Sequence, residues 1–269
     1  MDVKTIVQSE ISLHHVSGLI SPTFWSETYH AHDHAEIFIH IRGQMQLFIE
    51  NNIYYHSGNE IRVYAPQEYH FGKSDTTQEM EWYQISLAPS FLKAYPALAN
   101  KIINRPKGRE NVFISRKHET IVSLMEEIYK KQSSPIGEHY LFANILKVLC
   151  LLNETENNIE VKMGKNECLQ SIIETIHNHL PQIKTVETIA QLTHFSPSYI
   201  HQLFKKYLNI TPHKYILTKK LSYAKELLSQ GATISQACFC SGFDDYANFI
   251  TKFRKYFGVT PKNHQKANH

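Results

Sequence analysis

The sequence predicts a two-domain α+β protein. An N-terminal antiparallel β-barrel is followed by a helical hairpin, and the C-terminal domain is all-α with two helix-turn-helix units. Three observations predict it. Residues 24–88 alternate short β-branched and aromatic runs with turn residues; from Arg116 the apolar spacing turns helical; and one residue pattern occurs twice in the C-terminal third.

The predicted strands are 24–30, 36–42, 44–50, 53–56, 60–65 and 79–88, punctuated by Gly43, Asn51-Asn52 and Ser57-Gly58-Asn59. Many short strands at such intervals predict an antiparallel barrel. Ile37, Ile39 and Ile41 alternate with Glu36, Phe38 and His40, so one face is greasy and the other mixed. A barrel with a mixed lining can hold a small ligand.

Beyond Arg116, Ile121, Leu124, Met125, Ile128 and Tyr129 recur at helical spacing, as do Leu141, Ile145, Leu146 and Leu149 within 137–153. These make a hairpin whose apolar faces pack on the barrel or on a second copy of the chain, so residues 116–153 are the expected homodimer contact. A polar stretch follows. The domains are therefore set at 1–156 and 167–269, with 157–166 as linker.

Composition narrows the function classes. Hydrophobic residues at 42% and charged residues at 20% describe a globular chain. Lys and Arg outnumber Asp and Glu 12 to 6 over residues 166–269, while the remainder holds 16 against 19. Such asymmetry points the C-terminal part, and only that part, at a polyanion. The four cysteines form no CxxC pair, the start lacks a basic-then-apolar signal, and no apolar run reaches membrane length. A cytoplasmic protein with no membrane partner is expected. Cys238-Phe239-Cys240 is too tightly spaced for a zinc knuckle, and Cys238 is read as a small core residue.

The repeat carries the function. Phe195 recurs as Phe243 at a shift of 48; Phe204, Tyr207 and Thr211-Pro212 recur as Phe253, Tyr256 and Thr260-Pro261 at 49. The second copy thus has one extra residue, and a long helix over 212–230 joins the two. Ala190 and Cys238 are the small residues that let the second helix of each unit cross closely. Gly242 can supply the positive φ of the turn, and Ser196-Pro197 and Asp245 start the second helices. Ile200, Leu203, Phe204 and Tyr207 form one buried stripe; Phe249, Phe253 and Tyr256 form the other. Outside the stripes lie Ser198, Tyr199, His201, Gln202, Lys205 and Lys206, and in the second copy Tyr246, Ala247, Ile250, Thr251, Lys252, Arg254 and Lys255. Gln reads adenine, and Ala, Thr or Ile touches a thymine methyl. The lysines and Arg254 grip phosphates. Units set one DNA turn apart, about 34 Å, would enter successive major grooves of double-stranded DNA.

These residues resemble the AraC/XylS family of bacterial transcription regulators. The match is most specific over 234–261, ISQACFCSGFDDYANFITKFRKYFGVTP, and includes Ser196 to Ile200 and Phe204-Lys205-Lys206. The resemblance implies base-facing positions at Ser198, His201 and Gln202, and at Tyr246, Ala247, Ile250 and Thr251. It also implies a transcription activator that works with RNA polymerase. Asn209 stands where glycine is usual, Lys220 where arginine is common, and Ser241 where valine is usual.

The N-terminal half is similar to the cupin-type sensor domain found in many members, through His30-Ala31-His32, Glu36, Gly43, Gly58, Pro66 and His70. The expected effector contacts are His30, His32, Glu36, His70, Trp82 and Tyr83. A sugar is the effector suggested by analogy with relatives. Three imidazoles and a carboxylate also suit iron, manganese, nickel or zinc. A metal-dependent cupin enzyme, or a metal sensor fused to a DNA-binding domain, is therefore the competing reading. The reading adopted is a regulator that is not an enzyme and needs no cofactor.

Overall fold

Period-two alternation builds one unit of the chain, Met1–Lys165, and helical periodicity builds the other, Asn166–His269. The structure is a computed structural model that describes residues 1–22, 29–50, 52–56, 58–154 and 167–267. The expected linker at 157–166 and most of the expected strand at 24–30 lie outside the described residues.

In the first unit, strands β1 (Asp2–Gln8), β2 (Ile11–Ile20), β3 (Ala35–Arg42), β6 (Ile61–Tyr64), β8 (Gln78–Leu87) and β9 (Val112–Phe113) form an antiparallel sheet ordered β1-β2-β8-β3-β6-β9. A smaller sheet is ordered β5-β4-β7, from β4 (Met45–Ile49), β5 (Asn52–His56) and β7 (His70–Lys73). A two-way backbone bridge ties His30 to His70, with N–H···O distances of 3.1 and 2.9 Å. The barrel expected from sequence is not closed. Among the described residues no ladder joins the two sheets. The chain leaves the large sheet after a bulge at His40/Arg42, and Gly43, at φ +103°, turns it into β4 of the small one.

The odd-numbered residues of the large sheet make one core. Leu13, Ile37, Ile39, Ile85 and Leu87 are fully buried beneath helices α1 (Pro89–Ala94), α2 (Pro96–Ile103), α3 (His118–Lys131) and α4 (Gly137–Asn153). Ile121, Met125, Ile128, Leu141, Ile145, Val148 and Leu149 come from the helices, each burial contributing about 1.5–3 kcal/mol. The hairpin therefore lies on the sheet, with Leu124, Tyr129 and Leu146 half-buried at its margin. The even-numbered face looks into the space between the sheets, where Val16, Met45, Leu47, Tyr54, Tyr64, Met80 and Trp82 form a second core.

The second unit is α5 (Glu167–Asn178), α6 (Val186–Thr193), α7 (Pro197–Leu208), α8 (Pro212–Ser229), α9 (Ile234–Cys240), α10 (Tyr246–Phe257) and α11 (Pro261–Ala267). The caps are those the repeat requires. Ser196 Oγ accepts from Tyr199 N at 3.2 Å and Asp245 Oδ1 from Asn248 N at 2.8 Å. Thr211 and Thr260 cap α8 and α11 in the same way. His194 at φ 59° matches Gly242 at φ 84°, and Asn209 at φ 53° matches Gly258 at φ 74°, so the left-handed positions repeat too. The extra residue of the second copy is Asp244, which forms an ion pair with Lys184.

Candidate ligand cavity and nucleic-acid interface

The sheet registers place the cavity. Ser12, Ser86, Glu36 and Tyr64 stand side by side across β2, β8, β3 and β6; His14, Gln84, Phe38 and Arg62 form the next row. All face a cavity of about 870 Å³, lined on the other side by Met45 and Phe71 of the small sheet. Its size suits a small organic ligand.

At one end His30, His32, Glu36 and His70 converge, as the sequence motif requires. Glu36 Oε2 lies 3.1 Å from His32 Nε2 and 3.2 Å from His70 Nε2, while Oε1 lies 3.4 Å from His34 Nε2 and accepts from Gln84 Nε2 at 2.7 Å. Burial alone would raise the Glu36 carboxyl. Hydrogen bonds from His32, His34 and His70 outweigh it and hold the group well below the usual carboxylate range. His70 is seated by the turn before β7. There Glu68, fully buried, pairs with Arg105 and accepts from Gly108 N at 2.7 Å and Ala65 N at 2.9 Å, and its backbone carbonyl receives His70 Nδ1 at 2.9 Å.

The donor set fits a metal ion. The ligand nitrogens of His30, His32 and His70 all lie within 4.8 Å of one another. His32 Nδ1 meets the His34 carbonyl at 2.9 Å, as His70 Nδ1 meets that of Glu68. A carbonyl only accepts, so each Nδ1 carries a proton, and each Nε2 is turned toward the same carboxylate oxygen, donating to it when protonated and free to ligate a metal when not. That orientation of ring and tautomer is the one metal-binding histidines share.

Trp82 lines the cavity, whereas Tyr83 does not, and the sequence expectation for Tyr83 is corrected. Adjacent strand residues point to opposite faces, so Tyr83 lies under the helices, stacked on His15 at 4.4 Å and beside Tyr129. Burial pushes its hydroxyl up to about 12. Sequence reading missed Phe38, Arg62, Tyr64 and Gln84. The same alternation that exposes the error at Tyr83 would have found Phe38 and Gln84, two residues along from Glu36 and Trp82.

In the second unit, Ser198, Tyr199, His201, Gln202, Lys205 and Lys206 are exposed on α7, and Tyr246, Ala247, Thr251, Arg254 and Lys255 on α10. Lys252 is half-buried, and half-buried Ile250 packs against the second unit's core. The buried stripes differ from expectation at one place each. Leu208 and Phe257 pack inward, while Tyr207 is half-buried and Tyr256 is 37% exposed. An i, i+4, i+8 progression through Phe249, Phe253 and Phe257 puts Tyr256 off the stripe. Behind α10, buried Lys220 of α8 donates to Gly242 O at 2.9 Å, and Ser241 Oγ donates to Ala237 O at 2.6 Å. Both departures from the family pattern are thus satisfied inside the fold.

A walled cavity on one unit and two helix-turn-helix modules on the other define a ligand-responsive DNA-binding regulator. Residues 19–144 match the AraC-like ligand binding domain, and residues 189–267 match a helix-turn-helix domain. The chain belongs to the AraC/XylS family of transcription regulators. It is similar to the "Probable transcriptional regulator LumQ" of Photobacterium leiognathi, 24% identical over 242 residues that cover 89% of this chain and 92% of that one. It is also similar to the XylDLEGF operon transcriptional activator 2 of Pseudomonas putida, 26% identical over 132 residues, 48% of this chain and 83% of that one. Among solved structures, ToxT from Vibrio cholerae O395 aligns over 96% of both chains at 14% identity with a TM-score of 0.39. No helix among the described residues is long and apolar enough to cross a membrane.

Proposed function

We propose that the chain activates transcription at specific operators by inserting α7 and α10 into the major groove, under control of a small molecule held between the sheets. The observation that carries this reading is the pair of exposed helix faces, each set by the same turn, cap and buried stripe. Ser198, His201 and Gln202 on α7 and Tyr246, Ala247 and Thr251 on α10 read bases, with Ile250 reaching from the half-buried margin. Tyr199, Lys205, Lys206, Lys252, Arg254 and Lys255 hold the backbone. The protein works as a cytoplasmic homodimer through residues 116–153, with RNA polymerase as partner. His30, His32, Glu36, His70 and Trp82 contact the effector.

The test is a gel shift of the full chain, combined with genome-wide mapping of bound sites. Specific binding should exceed binding to bulk DNA and fall steeply with salt. Equal affinity for all sequences sinks the reading.

A second reading draws on the shared oxygen of Glu36. Two imidazole Nε2 atoms aimed at it suit a metal that senses occupancy or supplies Lewis acidity to a bound ligand. Elemental analysis of the purified chain decides it; near-stoichiometric zinc, iron, manganese or nickel supports it, and trace amounts remove it.

A further inference from the structure

Arg62 is the charged residue of the cavity wall, beside Glu36, whose chemistry the reading so far does not use. It sits on β6, directly across from Phe38 and one row from Tyr64 and Glu36. The side chain lines the cavity, yet the residue is only 3% exposed. Among the described residues its guanidinium has no carboxylate partner: Nε makes no hydrogen bond, Nη1 reaches Met45 Sδ at 3.1 Å, the Phe38 ring lies 4.5 Å from Cζ, and the one oxygen that meets it is the neutral Tyr64 hydroxyl. A thioether is a weak acceptor and an aromatic face neutralises no charge.

That state is costly, and arginine cannot relieve it by losing a proton. Neighbouring groups do not supply the missing charge. Glu36 is already engaged by His32, His34, His70 and Gln84. Burial pushes the Tyr64 hydroxyl up to about 12, so the phenol beside Arg62 stays neutral. The contrast with Arg105 is direct, since that buried arginine holds Glu68 through both Nη atoms. Among the described residues nothing supplies the counter-charge of Arg62, and a ligand that fills the cavity can bring it.

We infer that the effector is a small carboxylic acid whose carboxylate is clasped by Arg62 and whose apolar body lies against Phe38, Phe71, Val16 and Trp82. The planar fork of a guanidinium matches a carboxylate bidentately. A phosphate dianion calls for more positive charge than one arginine provides, and a neutral sugar would leave Arg62 uncompensated. This inference rests on the regulator reading only for the word effector; the anion site stands on the cavity itself.

The test titrates the full chain by calorimetry with acetate, hexanoate, benzoate and phenylacetate, with the matching amides, with phenyl phosphate and with glucose. At least one acid should bind, and its amide should bind tenfold or more weakly. Arg62→Met should weaken that acid roughly ten- to a hundredfold, the loss of a charge-assisted pair. The same variant should raise the melting temperature of the ligand-free chain, because it removes an unpaired buried charge; a structural arginine would do the opposite. Arg62→Lys should keep part of the affinity. Amides that bind as well as acids, phenyl phosphate that binds more tightly through Arg62, acid binding indifferent to Arg62→Met, or no acid binding up to roughly 10 mM would each overturn the inference. Specific DNA binding is followed in parallel. Glucose bound in the cavity and altering DNA affinity would defeat the acid assignment and leave ligand control intact. An acid held by Arg62 with no effect on DNA would do the reverse.

Discussion

Replacing Gly242 with alanine should destabilise the second helix-turn-helix unit by about 2–5 kcal/mol. The magnitude has two parts. Gly242 sits at φ +84°, where an L-residue costs roughly 1–2 kcal/mol. A Cβ there would also meet Pro181 O at 2.5 Å and Pro181 Cα at 2.7 Å. Those are backbone atoms between α5 and α6, so the clash cannot be relieved by a side-chain rotation and adds about 1–3 kcal/mol. The equivalent residue of the first unit is His194, at φ 59°, which already carries the backbone strain. His194→Gly should therefore be neutral or stabilising by about 1 kcal/mol. The assay is urea unfolding of the full chain with hydrogen exchange read in α9 and α10. Gly242→Ala should speed exchange there and weaken operator binding, while His194→Gly changes neither. If Gly242→Ala proves as stable as the parent, the turn does not hold α10 as described.

Further outcomes follow from the same geometry. Glu68→Gln should cost about 3–5 kcal/mol by leaving Arg105 uncompensated in the interior, measured by thermal unfolding. Because Arg105 and two backbone amides hold the Glu68 carboxyl below its usual value despite burial, the parent should keep that contribution above about pH 4.5 and lose it as pH falls below, and the variant should not. Burial, with the nearby Lys184 charge, lowers Lys220 from 10.5 to about 8. The unfolded chain then binds the extra proton between those values. Stability of the second unit should rise by on the order of 2–3 kcal/mol from pH 8 to 10.5, and Lys220→Met should flatten that slope in urea titrations at several pH values. Gln202→Ala should change preference at particular base pairs by about 1–3 kcal/mol. Lys206→Ala should weaken all sequences alike and reduce the salt slope by roughly one. Competition gel shifts separate the two, and identical effects would refute the division of roles.

Much of this was legible in the sequence because the C-terminal unit is a repeat. Matching Phe204 with Phe253 and Thr211-Pro212 with Thr260-Pro261 fixes helix order, caps and turns, and the structure adds only that the extra residue is Asp244, held by Lys184. The errors there are local. Tyr207 and Tyr256 look apolar enough to be core, but Leu208 and Phe257 lie closer to the stripe axis and win the burial. The N-terminal unit was less legible. Strand β2 escaped because His14-His15 interrupts the alternation of Ile11, Leu13 and Val16, and β1 because it is an edge strand with no buried side chain to set a period. Among candidate site residues, His30, His32, Glu36 and His70 come together as the motif requires, because the bridge at His30 and the Glu68 turn deliver them. Arg62 carries no motif. Its meaning lies in the counter-charge it lacks among the described residues, and no sequence pattern records an absent counter-ion.

Over β3 and β8 the large sheet has the cavity on one face and the helices on the other, and that fact links the two readings of the first unit. On β3, Glu36 and Phe38 touch the cavity while Ile37 and Ile39 are buried beneath the helices; on β8, Gln84 and Trp82 alternate in the same way with Ile85 and Tyr83. Every contact a ligand makes on these strands is thus one peptide away from the platform on which α3 and α4 rest. A close-packed interior does not absorb such a shift within one side chain. The ligand need not reach the hairpin to bias it. It need only favour one arrangement of a sheet whose opposite face the hairpin already covers, by the difference between its affinities for the two.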